Sequence, residues 1–373
     1  MSKKTDDKQN VVVVGGGFVG SLLARALSAK LDPARYTLIL INERPYMIQL
    51  IAGARMIVSD TDRLEDTALI PYDKLFVNGN GQFYQGRVEQ IDEAGSAVVL
   101  KNGERISYAA LILATGSTWS GPLDFPEAGA DVQAHIREWR DKVERAKDIF
   151  IVGGGAVGIE YAGEIRDIFP DKKITIIHSS DMLLNSTYPD KYRRDIARRC
   201  RAIGVKLVFG EYVDQFPAPG TVGLTTRRGT SYRSADLVIP AFGARPNTRF
   251  IASLGADALA ESGCVKVHPT LEVQGHPGVF ALGDIIEWHE QKQAAKGGAH
   301  VPIVVENVLS FLARRPLAKQ YKGSIEMILI PLGKSGGSAY LDILWGITLG
   351  AWFARMVKGK DLFVPKSRKD RGL

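Results

Sequence analysis

Two glycine triplets, Gly15-x-Gly17-x-x-Gly20 and Gly153-x-Gly155-x-x-Gly158, are the residues of this chain whose spacing points most directly to chemistry. In such a triplet the first glycine makes a tight turn, the second lets backbone N–H groups approach a diphosphate, and the third lets a helix close onto a strand. Both copies have the flanks this requires. Val11 to Val14 is a β-branched run that stops at Gly15, Ser21 to Lys30 carries Leu22, Leu23, Ala26 and Leu27 at helical spacing, and Tyr36 to Ile41 supplies a second buried strand. Ile149 to Val152, Ile159 to Ile168 and Ile174 to Ile177 repeat the pattern, at a separation far longer than a solenoid period. Two intact turns imply two dinucleotides.

The side chains beside these turns narrow the choice of nucleotide. The first unit's second strand ends Leu40-Ile41-Asn42-Glu43. An acid that accepts from the adenosine ribose is expected about twenty residues after the turn; Glu43 is the candidate, Asn42 the fallback, and a solvated loop glutamate the alternative. The second unit ends His178-Ser179-Ser180, with no carboxylate to repel a 2′-phosphate, so NADH and NADPH are both accommodated. Lys191, Arg193, Arg194, Arg198, Arg199 and Arg201 read as a basic solvated helix face, with a phosphate-binding guanidinium as the alternative. Two residues past the third glycine the copies differ, Leu22 in the first and Glu160 in the second. That carboxylate either faces the chemistry where the two nucleotides meet or complements the positive end of its helix. Both readings stand.

No other chemistry competes. The six histidines, His135, His178, His268, His276, His289 and His300, form no metal-binding pair, and no Gly-x-Ser-x-Gly elbow occurs. The two cysteines, Cys200 and Cys264, are too far apart in sequence for a Cys-x-x-Cys pair, which argues for a reducing compartment. The reaction therefore falls to the cofactors, with the protein positioning them.

Three further apolar strands stop at glycine turns: Leu111 to Ala114 before Thr115-Gly116-Ser117, Asp236 to Ile239 before Gly243-Ala244-Arg245-Pro246-Asn247, and Val279 to Leu282 before Gly283-Asp284. Ligands of open α/β sheets gather at such strand ends. Ser324 to Leu332 reads as a strand. Leu341, Trp345, Leu349, Trp352 and Met356 suggest one stripe of a helix, beside Arg355, Lys358, Lys360, Lys366, Arg368, Lys369 and Arg371. An interfacial helix on an anionic leaflet has this character, as does a helix that caps the core or a dimer surface. Its uncharged run, Ile343 to Ala354, is too short to cross a bilayer. Across 373 residues, 48 Lys and Arg against 41 Asp and Glu give a net charge of +7, with 45% hydrophobic and 24% charged residues, ordinary for a folded chain of two or three domains. No module for base or backbone recognition accompanies the charge, so nucleic acid is not an expected partner. Residues 1 to 10 carry no signal-peptide core and two aspartates, which suggests a cytoplasmic protein, and Ser2 excludes a myristoylated glycine.

The ordered set Gly15-Gly16-Gly17-Phe18-Val19-Gly20, Ala114-Thr115-Gly116, Gly153-Gly154-Gly155, Gly243-Ala244-Arg245-Pro246-Asn247 and Ala281-Leu282-Gly283-Asp284 resembles the two-dinucleotide-domain flavoprotein reductases. Ile112 to Ser117, Ile176-Ile177-His178-Ser179 and Lys360-Asp361-Leu362-Phe363-Val364 resemble, within them, the apoptosis-inducing-factor-like branch of ferroptosis-suppressor NAD(P)H:quinone reductases. The resemblance spans nearly the whole chain. It implies an α/β fold with two Rossmann-like, glutathione-reductase-like domains and a small C-terminal α+β segment. FAD binding would occupy 9–121 and 243–323, NAD(P)H binding 122–242, and the C-terminal segment 324–373. FAD would be held by Gly15, Gly17, Phe18, Val19, Gly20, Ala114, Thr115, Gly116, Gly243, Gly283 and Asp284, and NADH or NADPH by Gly153, Gly155 and Gly158. Glu160 and a lysine corresponding to Lys369 would border the active site, while Lys292 and His300 match a Lys-rich helix beside the flavin. Departures are the displaced acid, the absent myristoylation signal, and Pro365 with Arg368. The expected activity is hydride transfer from NAD(P)H to flavin, then reduction of a ubiquinone-like quinone. The alternatives are reduction of a soluble electron-transfer protein and redox-gated binding with slow turnover. Peripheral contact through residues 341–371 with the mitochondrial outer membrane or another intracellular membrane is a further expectation; oligomeric state is left open.

Overall fold

The computed structural model describes residues 8–218 and 220–373, so most of the N-terminal stretch used above to argue for a cytoplasmic location lies outside the described residues. In chain order, β1 (Gln9–Val14), α1 (Phe18–Ser28) and β2 (Tyr36–Asn42) form the first β-α-β unit. There follow α2 (Gly53–Val58), β3 (Gln82–Gln85), an antiparallel meander over Val88–Asp92, Ala97–Leu100 and Arg105–Ser107, and β4 (Ala110–Leu113). The second unit comprises α3 (Val132–Arg145), β5 (Asp148–Val152), α4 (Ala156–Ile168), β6 (Lys173–His178), α5 (Asp190–Ala202), β7 (Val205–Phe209) and β8 (Leu237–Pro240). The chain then returns to the first sheet with β9 (Val279–Ala281) and α6 (Ala294–Leu312).

The first sheet is parallel in the order β9-β4-β1-β2-β3, and the second is parallel in the order β7-β6-β5-β8. Parallel strands covered on both faces must be apolar at every position. Val11, Val12, Val13, Leu111, Ile112 and Leu113 accordingly have no exposed surface, and Ile149, Ile151, Ile176 and Ile177 repeat this in the second sheet. The α1–α6 pair covers one face of the first sheet, and the meander contributes Ile91, Val98 and Ile106 to the same core. The stretch 52–68 departs from this unit. Ala52, Met56, Ile57 and Leu64 pack into the second core, where α2 lies against α3 and α4.

The C-terminal segment corrects one expectation. Residues 341–356 are not a single helix. They continue an antiparallel sheet of β10 (Met327–Leu332), β11 (Gly336–Leu341) and β12 (Ile347–Leu349), followed by the short α7 (Ala351–Ala354), a π-helical turn (Arg355–Gly359) and α8 (Val364–Lys369). The helical spacing of the apolar residues is real, but Leu344 and Trp345 turn at φ 48° and 72° and Gly346 follows at 87°, which makes this a hairpin turn. No helix among the described residues is long and apolar enough to cross a membrane.

Ile151 lies at the centre of the second sheet with no exposed surface. Ile151→Ala should lower unfolding stability by about 2–5 kcal/mol, measured as a shifted denaturant midpoint with unchanged far-ultraviolet circular dichroism of the native protein.

Candidate functional site

The two glycine turns are built alike, down to the bonds of the middle residue. Gly15 and Gly153 have φ 100° and 127°, and a Cβ on Gly15 would stand 2.5 Å from the Ala114 carbonyl oxygen, while one on Gly153 would strike that of Ala241. Gly20 and Gly158 in turn press on the carbonyls of Gly15 and Gly153, which closes each helix onto its strand. The Gly16 N–H donates to Asn42 Oδ1 at 2.9 Å, and the Gly154 N–H to His178 Nδ1 at 3.0 Å. The Gly16 carbonyl accepts from the Tyr72 hydroxyl, and that of Gly154 from the Leu184 N–H, both at 2.8 Å.

The two ribose candidates stand in different surroundings. Asn42 sits in the turn, its Nδ2 donating to the Arg44 carbonyl at 2.9 Å, whereas the Glu43 carboxylate lies 3.6 Å from Arg87. At the second turn, burial pushes the His178 imidazole down, with Arg193 adding to the effect. Because Nδ1 accepts the Gly154 N–H, the neutral ring carries its proton on Nε2.

The loops at the ends of β4, β8 and β9 converge on the first crevice. Ser117 and Thr118 pair with Pro246 and Arg245, Thr115 Oγ1 donates to the Asn247 carbonyl at 2.6 Å, and Ser117 Oγ donates to Asp284 Oδ2 at 2.8 Å. A Cβ on Gly283 would touch Val19 at 3.5 Å, so the α1 turn and the Gly283-Asp284 corner share one wall. Burial raises the Asp284 carboxyl, against the Ser117 bond and the charge of Lys292. Lys292 precedes α6 and donates to the Ile286 carbonyl at 2.7 Å, while His300, inside α6, accepts the Gly283 N–H at 3.1 Å and is pushed down to about 4 by burial. A Cβ added at Gly17, Gly116, Gly155 or Gly243 would meet no atom within 4 Å. The turns thus open onto free space, as cradles for two diphosphates must.

Glu160 is nearly buried and pairs with Lys358, whose Nζ stands 2.6 Å from Oε1. Lys369, the lysine expected there, is exposed on α8. Sequence reasoning missed Lys358 because it stood in a basic run read as surface; only the search for a cation to balance Glu160 would have marked it. The basic run on α5 is laced with ion pairs to Asp190 and Asp195, and Arg193 is buried against the Leu183 carbonyl. Both cysteines are free and buried, and burial pushes the Cys200 thiol up to about 12. Among the described residues no cluster of His, Cys, Asp and Glu could hold a metal ion.

The chain matches the pyridine nucleotide-disulphide oxidoreductase family model over residues 9–299. It is 47% identical over 319 residues to an FAD-dependent oxidoreductase from Flammulina velutipes, covering 85% of this chain and 99% of that one. It is 32% identical to the ferroptosis suppressor protein 1 of Homo sapiens, covering 96% and 95% of the two chains. The fold matches the sulfide:quinone oxidoreductase of Aquifex aeolicus with a TM-score of 0.77 at 16% identity, covering 97% of this chain and 92% of that one.

The space at Gly17 yields a clean test of the first cradle. Gly17→Leu has room to fold, yet its side chain would fill the volume that the diphosphate of FAD needs. The purified variant should keep its far-ultraviolet circular dichroism and lose its visible flavin absorbance.

Proposed function

Because the chain belongs to the pyridine nucleotide-disulphide oxidoreductase family and binds FAD, with NAD(P)H as substrate, yet has no dithiol, we propose that it is an NAD(P)H:quinone oxidoreductase. When bound, FAD supplies the two-electron relay between nicotinamide and acceptor. A disulfide or persulfide acceptor chemistry needs an accessible, reactive thiol at the flavin, and both cysteines are buried. Electrons must then leave to an external acceptor.

The observation that carries the quinone reading is the Lys358–Glu160 pair at the head of α4, beside the second nucleotide turn. Reduction of a quinone by NAD(P)H consumes one proton from solution per turnover, in addition to the hydride. A shielded ammonium–carboxylate pair holds such a proton at Nζ and can pass it to a quinone oxygen. Acceptance of bare electrons by a haem or iron–sulfur protein needs no such donor. The sulfide:quinone oxidoreductase of Aquifex aeolicus, which shares the fold, uses a quinone, and the resemblance of the sequence to ferroptosis-suppressor quinone reductases supports the same acceptor. At the second turn His178, followed by Ser179 and Ser180, presents no acid, which leaves that site open to NADPH as well as NADH.

A lipid-soluble quinone calls for access to a membrane surface, and we extend the proposal to peripheral contact with the cytoplasmic face of an intracellular membrane. Its support is the hairpin turn of β11 and β12, where Leu344 is 76% and Trp345 fully exposed, with Trp352 and Met356 exposed on the adjoining turns. Tryptophan and leucine on a basic surface suit an anionic leaflet.

Anaerobic NADH or NADPH should bleach the flavin, and a short-chain ubiquinone should restore it faster than ferricytochrome does. Lys358→Met should keep stoichiometric flavin and lower kcat with the quinone by about 100-fold. Preferential turnover with the haem protein, unaffected by Lys358→Met, would reject the quinone reading. The double variant Leu344→Asp, Trp345→Asp should cosediment less with anionic liposomes while its turnover with a water-soluble quinone is retained.

A further inference from the structure

Helix α4 fastens the C-terminal segment through three acids on one face. Glu160 holds Lys358 Nζ, Glu164 lies one turn further along, and Asp167 accepts the Lys334 N–H at 3.0 Å through Oδ2. The helix lies directly on β10, where a Cβ on Gly163 would be 2.5 Å from the Leu332 Cα. Glu164 does not reach the C-terminal segment by itself. It is bonded by Arg55 of α2, with Nε to Oε2 at 2.9 Å and Nη2 to Oε1 at 3.0 Å. The same guanidinium donates from Nη2 to the Gly359 carbonyl at 2.8 Å and from Nη1 to that of Lys360 at 3.5 Å. Both side chains are almost wholly buried, at 4% and 3% exposure.

The placement of these bonds gives them a role beyond stability. Gly359 follows Lys358 and closes the π-helical turn, an irregularity that helices rarely adopt without an external constraint and that recurs at functional sites. Backbone carbonyls freed by the wider turn need donors, and Arg55 supplies them. Lysine has no planar fork and could not serve the carboxylate and the carbonyls together. We propose that Arg55 is a positioning residue, which sets where Lys358 Nζ stands against Glu160 by joining Glu164 of α4 to the carbonyls of Gly359 and Lys360. Asp62, 3.8 Å from Nη1, shares its charge with Lys334 at 2.9 Å and completes the surroundings of the guanidinium. Burial raises the Glu164 carboxyl and Arg55 opposes that shift, so the pair is held by its geometry against its desolvation.

The inference uses the role given above to Lys358, and its test separates the two claims. Acylation of Lys358 by a water-soluble N-hydroxysuccinimide ester, followed by peptide mass spectrometry, needs no acceptor. Arg55→Met and Arg55→Lys in the FAD-loaded protein should each raise the labelling rate of Lys358 several-fold, with labelling of Lys369 unchanged. Glu164→Gln, which preserves shape, is the variant to use if the arginine replacements do not fold, and it should act in the same direction. In turnover, Arg55→Lys should lower kcat with a short-chain quinone about tenfold or more with little change in KM for NAD(P)H. In a Lys358→Met background, Arg55→Lys should have no further effect, because it acts through that lysine. Unchanged labelling in all folded variants would overturn the clamp whatever the acceptor proves to be. Additive losses in the Lys358→Met background would overturn it equally. Raised labelling with no effect of Lys358→Met on turnover would leave the clamp intact and reject only the catalytic role of the lysine.

Discussion

The contact on which the rest depends is that between a glycine Cα and a neighbouring strand's carbonyl. At Gly15 against Ala114, and again at Gly153 against Ala241, the chain leaves a parallel strand so sharply that no side chain fits, and the helix that follows begins within reach of a phosphate. Any residue but glycine would force the strand pair apart and displace the helix with it. The helix, strand and loop side chains that surround the two crevices take their positions from this approach.

The second constraint is electrical. Glu160, Glu164, Lys358 and Arg55 are all largely or wholly shielded from water, and each is tolerated because its partner is within a direct bond. Buried pairs of this kind contribute little net stability and much definition, since removing one member strands the other. Here they join α2, α4 and the turn after α7, three pieces distant in sequence. A chain with so much of its charge committed to geometry near one helix end has a poor tolerance for disorder there.

What the sequence disclosed and what it withheld divide along the same line. The nucleotide turns and their strands were legible because each rests on local grammar, an apolar run stopped by glycine, whereas the roles expected of Thr115 and Asp284 came from the family resemblance and the Thr115–Asn247 bond only from the structure. The sequence put Glu43 ahead of Asn42, and only the structure shows that the Asn42 amide accepts the Gly16 N–H while Glu43 faces Arg87. Lys358 and Arg55 were invisible because nothing in their own neighbourhoods marks them; their function comes from contacts across some two hundred residues for one and some three hundred for the other. The C-terminal stripe misled because apolar residues three and four apart fit a helix as well as they fit two strands joined by a turn. Glycines at 336, 337, 346 and 350 favour the strands and turns, a bias that periodicity alone does not register.

Both nucleotide cradles are completed before residue 324, whereas the lysine that meets Glu160 arrives from the last fifty residues. If Lys358 serves the acceptor as proposed, nucleotide binding and proton supply to that acceptor are housed in separable stretches of chain. On that proposal, exchanging the terminal sheet and its following turns for another of like attachment to α4 would be a route to a new oxidant without rebuilding the machinery that draws on pyridine nucleotide.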